Sequence, residues 1–197
     1  LKSDIFSQLK LLLTYCFCCL PFIECTLYFL KTSFKDLLII KNRKFIDNRG
    51  YFREILVEKN LKKKFPFNVV SMSKKNVIRG LHYQKKKPQG KYVSVIQGKI
   101  LDVVVDLRKN SKTFGKHYSI ILSDENCTSL YIPAGFAHGF ACLGKINTVV
   151  YSCTNYRDKD NEHGILWNDK SLKIKWPIKK PIISKKDKLN PKFKDFV

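Results

Sequence analysis

From Phe34 onward the apolar positions fall into short runs separated by turn signals, and no long stretch holds a 3.6-residue period. Leu37 to Ile40 is the first such run. The turn Asp47-Asn48-Arg49-Gly50 leads into a strand predicted over Tyr51 to Val57. Lys91 to Val95 and Lys99 to Leu107 are rich in β-branched residues, and Gln97-Gly98 between them reads as a hairpin turn. Tyr118 to Leu122, Ser129 to Ile132, Thr148 to Cys153 and Gly164 to Trp167 continue the series. Many short strands at near-regular spacing predict an all-β sandwich or jelly roll with only short peripheral helices. The lysine- and proline-bearing tail after Trp176 is expected to form an irregular cover over it.

Before this pattern comes a different composition. Leu11 to Leu30 is rich in Leu, Phe, Tyr and Cys, but Pro21 and Glu24 interrupt it. A membrane-spanning helix needs about 20 largely uncharged apolar residues, and this segment is short of that standard. Lys2 and Lys10 precede the apolar run as in a signal peptide, yet no small-x-small cleavage site follows. Residues 1–31 are therefore read as an apolar extension, or a start placed too far upstream, and residues 32–197 as the working domain. Four cysteines, Cys16, Cys18, Cys19 and Cys25, fall in the extension; Cys127, Cys142 and Cys153 lie singly in strand-like stretches. An odd total of seven so arranged is not a secreted disulfide framework, and the lone Cys16-x-x-Cys19 spacing has no second pair to make a zinc site.

A chain of 197 residues holds one full-sized core. Its formal charge of +22 raises nucleic acid or an anionic membrane surface as partners. The six arginines are outnumbered by thirty-two lysines, mostly scattered apart from Lys62–Lys64 and Lys85–Lys87. Readers of bases and phosphates favour the planar arginine fork, so a solvated lysine-rich surface is the better reading, with neither nucleic acid nor membrane as partner.

The chemistry is concentrated in two stretches. The first is Arg79-Gly80-Leu81-His82-Tyr83-Gln84, followed by Gln89-Gly90-Lys91; the second runs from Ile132 to Phe140, with Pro133, Gly135 and His138 at P-x-G-x-x-H spacing. Both resemble the paired motifs of cupin barrels. Metal-bearing cupins carry His-x-His in the first motif, whereas here Gln84 stands two residues after His82. A neutral amide is a poor substitute for imidazole as a ligand, so no catalytic metal and no cofactor are expected. A pocket of His, Lys, Tyr and Arg suits proton transfer.

The resemblance then narrows. Arg79 to Gln84, Gly98 to Arg108, Ser111 to Gly115, Ile132 to Phe140 and Trp167-Asn168-Asp169 resemble the dTDP-4-dehydrorhamnose 3,5-epimerase family, as do Tyr151, Asn155-Tyr156, Trp176-Pro177, and Ser184 with Asp187. This similarity implies a cupin jelly roll, a cytoplasmic homodimer whose N-terminal strands extend the partner's sheet, and an isomerase of a nucleotide-diphosphate sugar in the synthesis of rhamnose-containing polysaccharide such as O-antigen. It implies that His82 is the base, Asp169 its orienting carboxylate, Tyr151 the acid on the other face of the sugar and Lys91 the group that stabilises the enolate. It further implies that Arg49, Glu54, Arg79 and His138 hold substrate. The residues themselves leave alternatives: Tyr151 as a core tyrosine, Asp169 as a turn or cap residue, Lys91 as one lysine among many, Arg108 as a structural ion-pair member, and His117 and His163 as surface residues. Phe67-Asn68-Val69-Val70 replaces the Gln-Asp-Asn stretch usual before Ser71, and Arg157 replaces a second Tyr, so the nucleotide base is less firmly implied than the reaction. A 3-epimerase acting on another deoxysugar nucleotide and a non-catalytic sugar-nucleotide-binding cupin are the rivals.

Overall fold

In a computed structural model, which describes residues 27–196, the chain runs through thirteen strands and two four-residue α-helices, with three short 3-10 turns. In chain order these are β1 (Leu27–Lys31), β2 (Leu38–Asn42), β3 (Phe45–Asp47), β4 (Gly50–Phe52), α1 (Glu58–Leu61), β5 (Phe67–Lys74) and β6 (Ile78–Gln84). Then follow β7 (Lys91–Gln97), β8 (Lys99–Asp106), β9 (His117–Ser123), β10 (Thr128–Ile132), β11 (Phe136–Cys142), β12 (Ile146–Cys153), β13 (Glu162–Gly164) and α2 (Lys185–Lys188). A six-stranded sheet, β1-β2-β10-β7-β12-β5, faces a five-stranded sheet, β13-β6-β11-β8-β9. The hairpin β3–β4 stands apart as a two-stranded sheet. This is the expected jelly roll.

Side chains of a strand alternate between its faces. In β8, Val104 points between the two sheets, where it meets Val93, Leu122, Leu130 and Phe140. Val103 and Val105 point the other way, onto Leu81, Ile165 and Leu172, beneath Trp176 and Phe193 of the tail. The tail is thus the lid of a second core, which is why β8 is apolar on both faces. Each large side chain so buried contributes about 2 kcal/mol.

Three local expectations are corrected. The strand expected over Tyr51 to Val57 stops at Phe52. Beyond it the Asn42 amide donates to the carbonyls of Glu54 and Ile55 at 2.9 and 3.1 Å, taking them out of any ladder, and Ile55, Leu56 and Val57 pack on Phe65 and Tyr131. Gln97-Gly98 is not a hairpin turn but a crossover, because β7 and β8 belong to different sheets. Gly98 has φ +86°, and a Cβ there would sit 2.1 Å from the Ile146 carbonyl oxygen. Strand β13 ends at Gly164, short of Trp167, whose carbonyl accepts instead from the Trp176 indole at 2.8 Å. Strand β1 begins at Leu27 and pairs along its length with β2. The four early cysteines lie outside the described residues.

Arg108 is the structural ion-pair member foreseen as an alternative. Its Nε and Nη2 donate to the two oxygens of fully buried Asp106 at 2.8 and 2.7 Å, and Ser111 and Thr113 hydroxyls each add a bond of 2.6 Å. Burial alone would raise the Asp106 pKa, but the Arg108, Ser111 and Thr113 hydrogen bonds together bring it down to about 2. A depressed carboxylate stabilises the fold above its unfolded value near 3.8 and loses that contribution as pH falls towards 2. At about 1.4 kcal/mol per unit, this is on the order of 2 kcal/mol. Urea unfolding of the wild type and Asp106→Asn should therefore differ most at neutral pH and converge on acidification. A difference that holds constant down to about pH 3 would contradict it.

Candidate active site

His82 and His138 occupy the same wall of the interior. They are directly opposed across the β6–β11 ladder, and the register then slips so that Arg79 opposes Phe140. This bulge lets Arg79 and His82, three residues apart, both belong to the inner face. It depends on glycine: at Gly80, φ +113°, a Cβ would lie 2.6 Å from the Gly139 Cα and 2.7 Å from the His138 carbonyl oxygen.

The His82 ring donates from Nε2 to Asp187 Oδ1 at 2.6 Å, leaving Nδ1 as the acceptor. Asp187 Oδ2 accepts from the Gly80 amide at 3.3 Å. The aspartate is buried, while nearly a third of the His82 side chain remains accessible. Burial works to raise the Asp187 pKa; the hydrogen bond and charge of His82, with Gly80 and Ser184, outweigh it and hold the carboxyl below its ordinary value. A His–carboxylate pair of this kind fixes the tautomer and supports the imidazolium form.

The orienting carboxylate expected here, Asp169, is elsewhere. Its Oδ1 accepts from Ser171 N and Oγ, both at 2.8 Å, and its Oδ2 from Phe193 N at 2.6 Å. It caps a 3-10 turn and ties the tail down, the turn-and-cap alternative already raised. Asp187 reaches His82 because the tail is pinned beside β6: Ile182 exchanges hydrogen bonds with Asn76 and Ile78. Ser184 then caps α2 by accepting from the Asp187 amide at 3.0 Å. Sequence matching grouped Asp187 with Ser184 but gave it no role; the signal within reach was the Ser-x-x-Asp capping pattern.

Tyr151, on β12 of the facing sheet, lies edge-on to His138 with ring centroids 6.1 Å apart, and its hydroxyl is 2.9 Å from Ser71 Oγ. Burial pushes its phenol well above the ordinary value, opposed by the Ser71 hydrogen bond and the Arg79 charge. Lys91 opens β7 opposite Cys153 and lines a cavity of about 480 Å³ together with Gln84, Gln89, Phe136 and Phe196. Burial lowers its pKa, against the pull of Cys153, Glu162 and Asp102. Arg79 Nε donates to Ser73 Oγ at 2.8 Å. Gln84 spends its amide on loops, donating to the carbonyls of Lys87 and Tyr156 and accepting from Asp158 N. Among the described residues no three His, Cys, Asp or Glu side chains gather as a metal set.

Arg49 and Glu54 are not part of this group. Arg49 sits at the tip of the detached β3–β4 hairpin, paired with Asp47, and Glu54 lies in the segment held by Asn42. His117 is half-buried, its Nδ1 bonded to the Leu172 carbonyl at 2.8 Å; His163 is exposed and stacks on Tyr83.

Residues 31–195 match the dTDP-4-dehydrorhamnose 3,5-epimerase family. The protein of that name from Methanothermobacter thermautotrophicus is 45% identical over 168 residues, 81% of this chain and 91% of its own length. The crystal structure of the dTDP-4-dehydrorhamnose 3,5-epimerase from Elizabethkingia anophelis superposes with a TM-score of 0.81 at 42% identity, over 87% of this chain and 98% of that one. A Legionella pneumophila dTDP-6-deoxy-D-glucose-3,5-epimerase in complex with dTDP-4-keto-L-rhamnose gives 0.82 at 38% identity, over 85% and 93%.

Proposed function

This chain belongs to the dTDP-4-dehydrorhamnose 3,5-epimerase family, and from that premise we propose that it inverts C3 and C5 of dTDP-4-dehydro-6-deoxy-D-glucose to give dTDP-4-dehydro-L-rhamnose. The observation that carries the reading is the His82–Asp187 pair, with the His82 Nδ1 left free to accept a proton. The C4 ketone acidifies the hydrogens on C3 and C5. His82 takes one of them, the electrons pass to the C4 oxygen, and the imidazolium is stabilised by Asp187. Lys91 faces the enolate oxygen and stabilises its charge. Tyr151, whose raised pKa keeps it protonated at neutral pH, returns a proton to the opposite face of the carbon. His82 then loses its proton to solvent, the Tyr151 phenolate regains one from solvent, and the cycle repeats at the second centre.

Arg79 and His138 would hold the sugar and diphosphate, the arginine by its two-pronged donor geometry. Arg49 and Glu54 fit the same task only if they reach another subunit's site, which agrees with a homodimer. Two apolar surfaces support that assembly. Ile46 on the β3–β4 hairpin is 77% exposed, and Met72 on the edge strand β5 is 60% exposed. Unpaired edges of this kind invite a second chain. Sedimentation of the wild type should give a dimer, and Met72→Lys should shift it towards monomer with loss of turnover. A fully active monomer would remove the shared-site reading. Among the described residues no helix is long and apolar enough to cross a membrane. A nucleotide-sugar substrate, together with unpaired Cys127, Cys142 and Cys153, suits a cytoplasmic enzyme.

Proton NMR of the substrate in heavy water tests the reaction. Both the C3 and the C5 hydrogen signals should disappear on adding the protein. Loss at C3 alone would make it a 3-epimerase, and no exchange at either carbon would leave a binding protein.

A further inference from the structure

Asp102 is an interior carboxylate that the chemistry above leaves unused. It sits on β8 beside β11, is 0% exposed, and faces His138, itself only 4% exposed. His138 Nε2 is 2.8 Å from Asp102 Oδ2, while Oδ1 is buried without a hydrogen-bond partner among the described residues. A buried carboxylate left half-satisfied is costly, and the fold keeps one where an apolar residue would pack more cheaply. Its charge also reaches Lys91 and Tyr151: it opposes the burial that lowers the Lys91 pKa and adds to the burial that raises that of Tyr151. Two His–Asp pairs therefore stand side by side, His82 with Asp187 and His138 with Asp102, their rings on opposed positions of neighbouring strands.

We propose that Asp102 is a positioning residue: by accepting the Nε2–H of His138 it confines that ring's proton to Nε2 and leaves Nδ1 as the nitrogen offered to the substrate. A bare Nδ1 accepts a hydrogen bond and so selects a sugar hydroxyl rather than a carbonyl oxygen. It would hold the hexose by a hydroxyl, with the ring turned to present its acidic hydrogens to His82. Without Asp102 either nitrogen of His138 can carry the proton, and a molecule protonated at Nδ1 meets the sugar hydroxyl with the wrong polarity. The proposal rests on the epimerase reading for the identity of the ligand, but not for the state of the ring.

The test uses the full-length protein with nitrogen-15 in its four histidines, whose ring protonation is read from two-bond proton–nitrogen correlations. His138→Gln identifies the His138 signals by their loss. In the wild type His138 should carry its proton on Nε2; a neutral ring protonated at Nδ1 overturns the proposal, and this result needs no variant of Asp102. Asp102→Asn should then give a mixture of tautomers and at least a tenfold fall in kcat. The double variant Asp102→Asn, His138→Gln should be no slower than His138→Gln alone, because the aspartate acts only through the ring. Multiplying losses in the double variant, or an unchanged tautomer in Asp102→Asn, would assign Asp102 to packing and sink the idea. If the wild type fails to exchange the substrate hydrogens at all, the epimerase reading falls while the ring measurement still stands.

Discussion

His82→Asn protein, folded and still able to bind dTDP, should leave both the C3 and the C5 hydrogens of the substrate in place in heavy water. Asparagine fits the space of the imidazole and can still bond to Asp187, so the tail should stay docked on β6. What it lacks is a nitrogen basic enough to take a carbon-bound proton. Positioned general bases contribute about a hundredfold to ten-thousandfold, and the proposed mechanism uses one base for both carbons, so both exchanges should fall together by about a thousandfold or more. Exchange at wild-type rates would remove His82 from the chemistry. Loss at one carbon only would mean that the two centres use different bases.

Asp187→Asn and Asp169→Asn should separate the two aspartates cleanly. In Asp187→Asn the amide can present its NH2 to the His82 ring, which reverses the tautomer and puts a proton on the nitrogen that should accept one. The imidazolium also loses its counter-charge. A fall in kcat of about a hundredfold to ten-thousandfold is expected. Asp169→Asn touches no part of the proton path. It weakens the bonds to Ser171 and Phe193 that tie down the tail, at a cost of about 1 kcal/mol of stability. Its kcat should stay within a few-fold of the wild type. Equal losses in the two variants would mean that tail anchoring, not the His82 partner, limits the rate.

The difference between these aspartates also shows what can be read along a chain. β8, β10 and β12 were legible because burial on the inner face, or on both, makes their apolar runs nearly continuous. β5 was not, because Val70 and Met72 on its outer face break the alternation that marks a half-buried strand. Gln97-Gly98 reads as a hairpin turn because a local turn signal does not say which sheet the next strand joins. His82, His138, Lys91 and Tyr151 stood inside strands or motifs, so their grouping followed from the fold. Asp187 and Asp102 gain meaning only from contacts 105 and 36 residues away. In sequence, one is an acid in a lysine-rich tail and the other a charge interrupting an apolar strand. Arg49 was legible as a residue type, but nothing along the chain says that it stands on a hairpin apart from the His82 group.

Asp187, the hydrogen-bond partner of His82, is carried by the tail, beyond all thirteen strands of the described residues. During synthesis every strand of both sheets therefore leaves the ribosome before Asp187 does. A nascent chain can pair its strands and fill the core between the two sheets while His82 still lacks its partner and the second core still lacks Trp176 and Phe193. Structural maturity and catalytic competence are thus separate events, and the second waits on a few residues that close over β6 last.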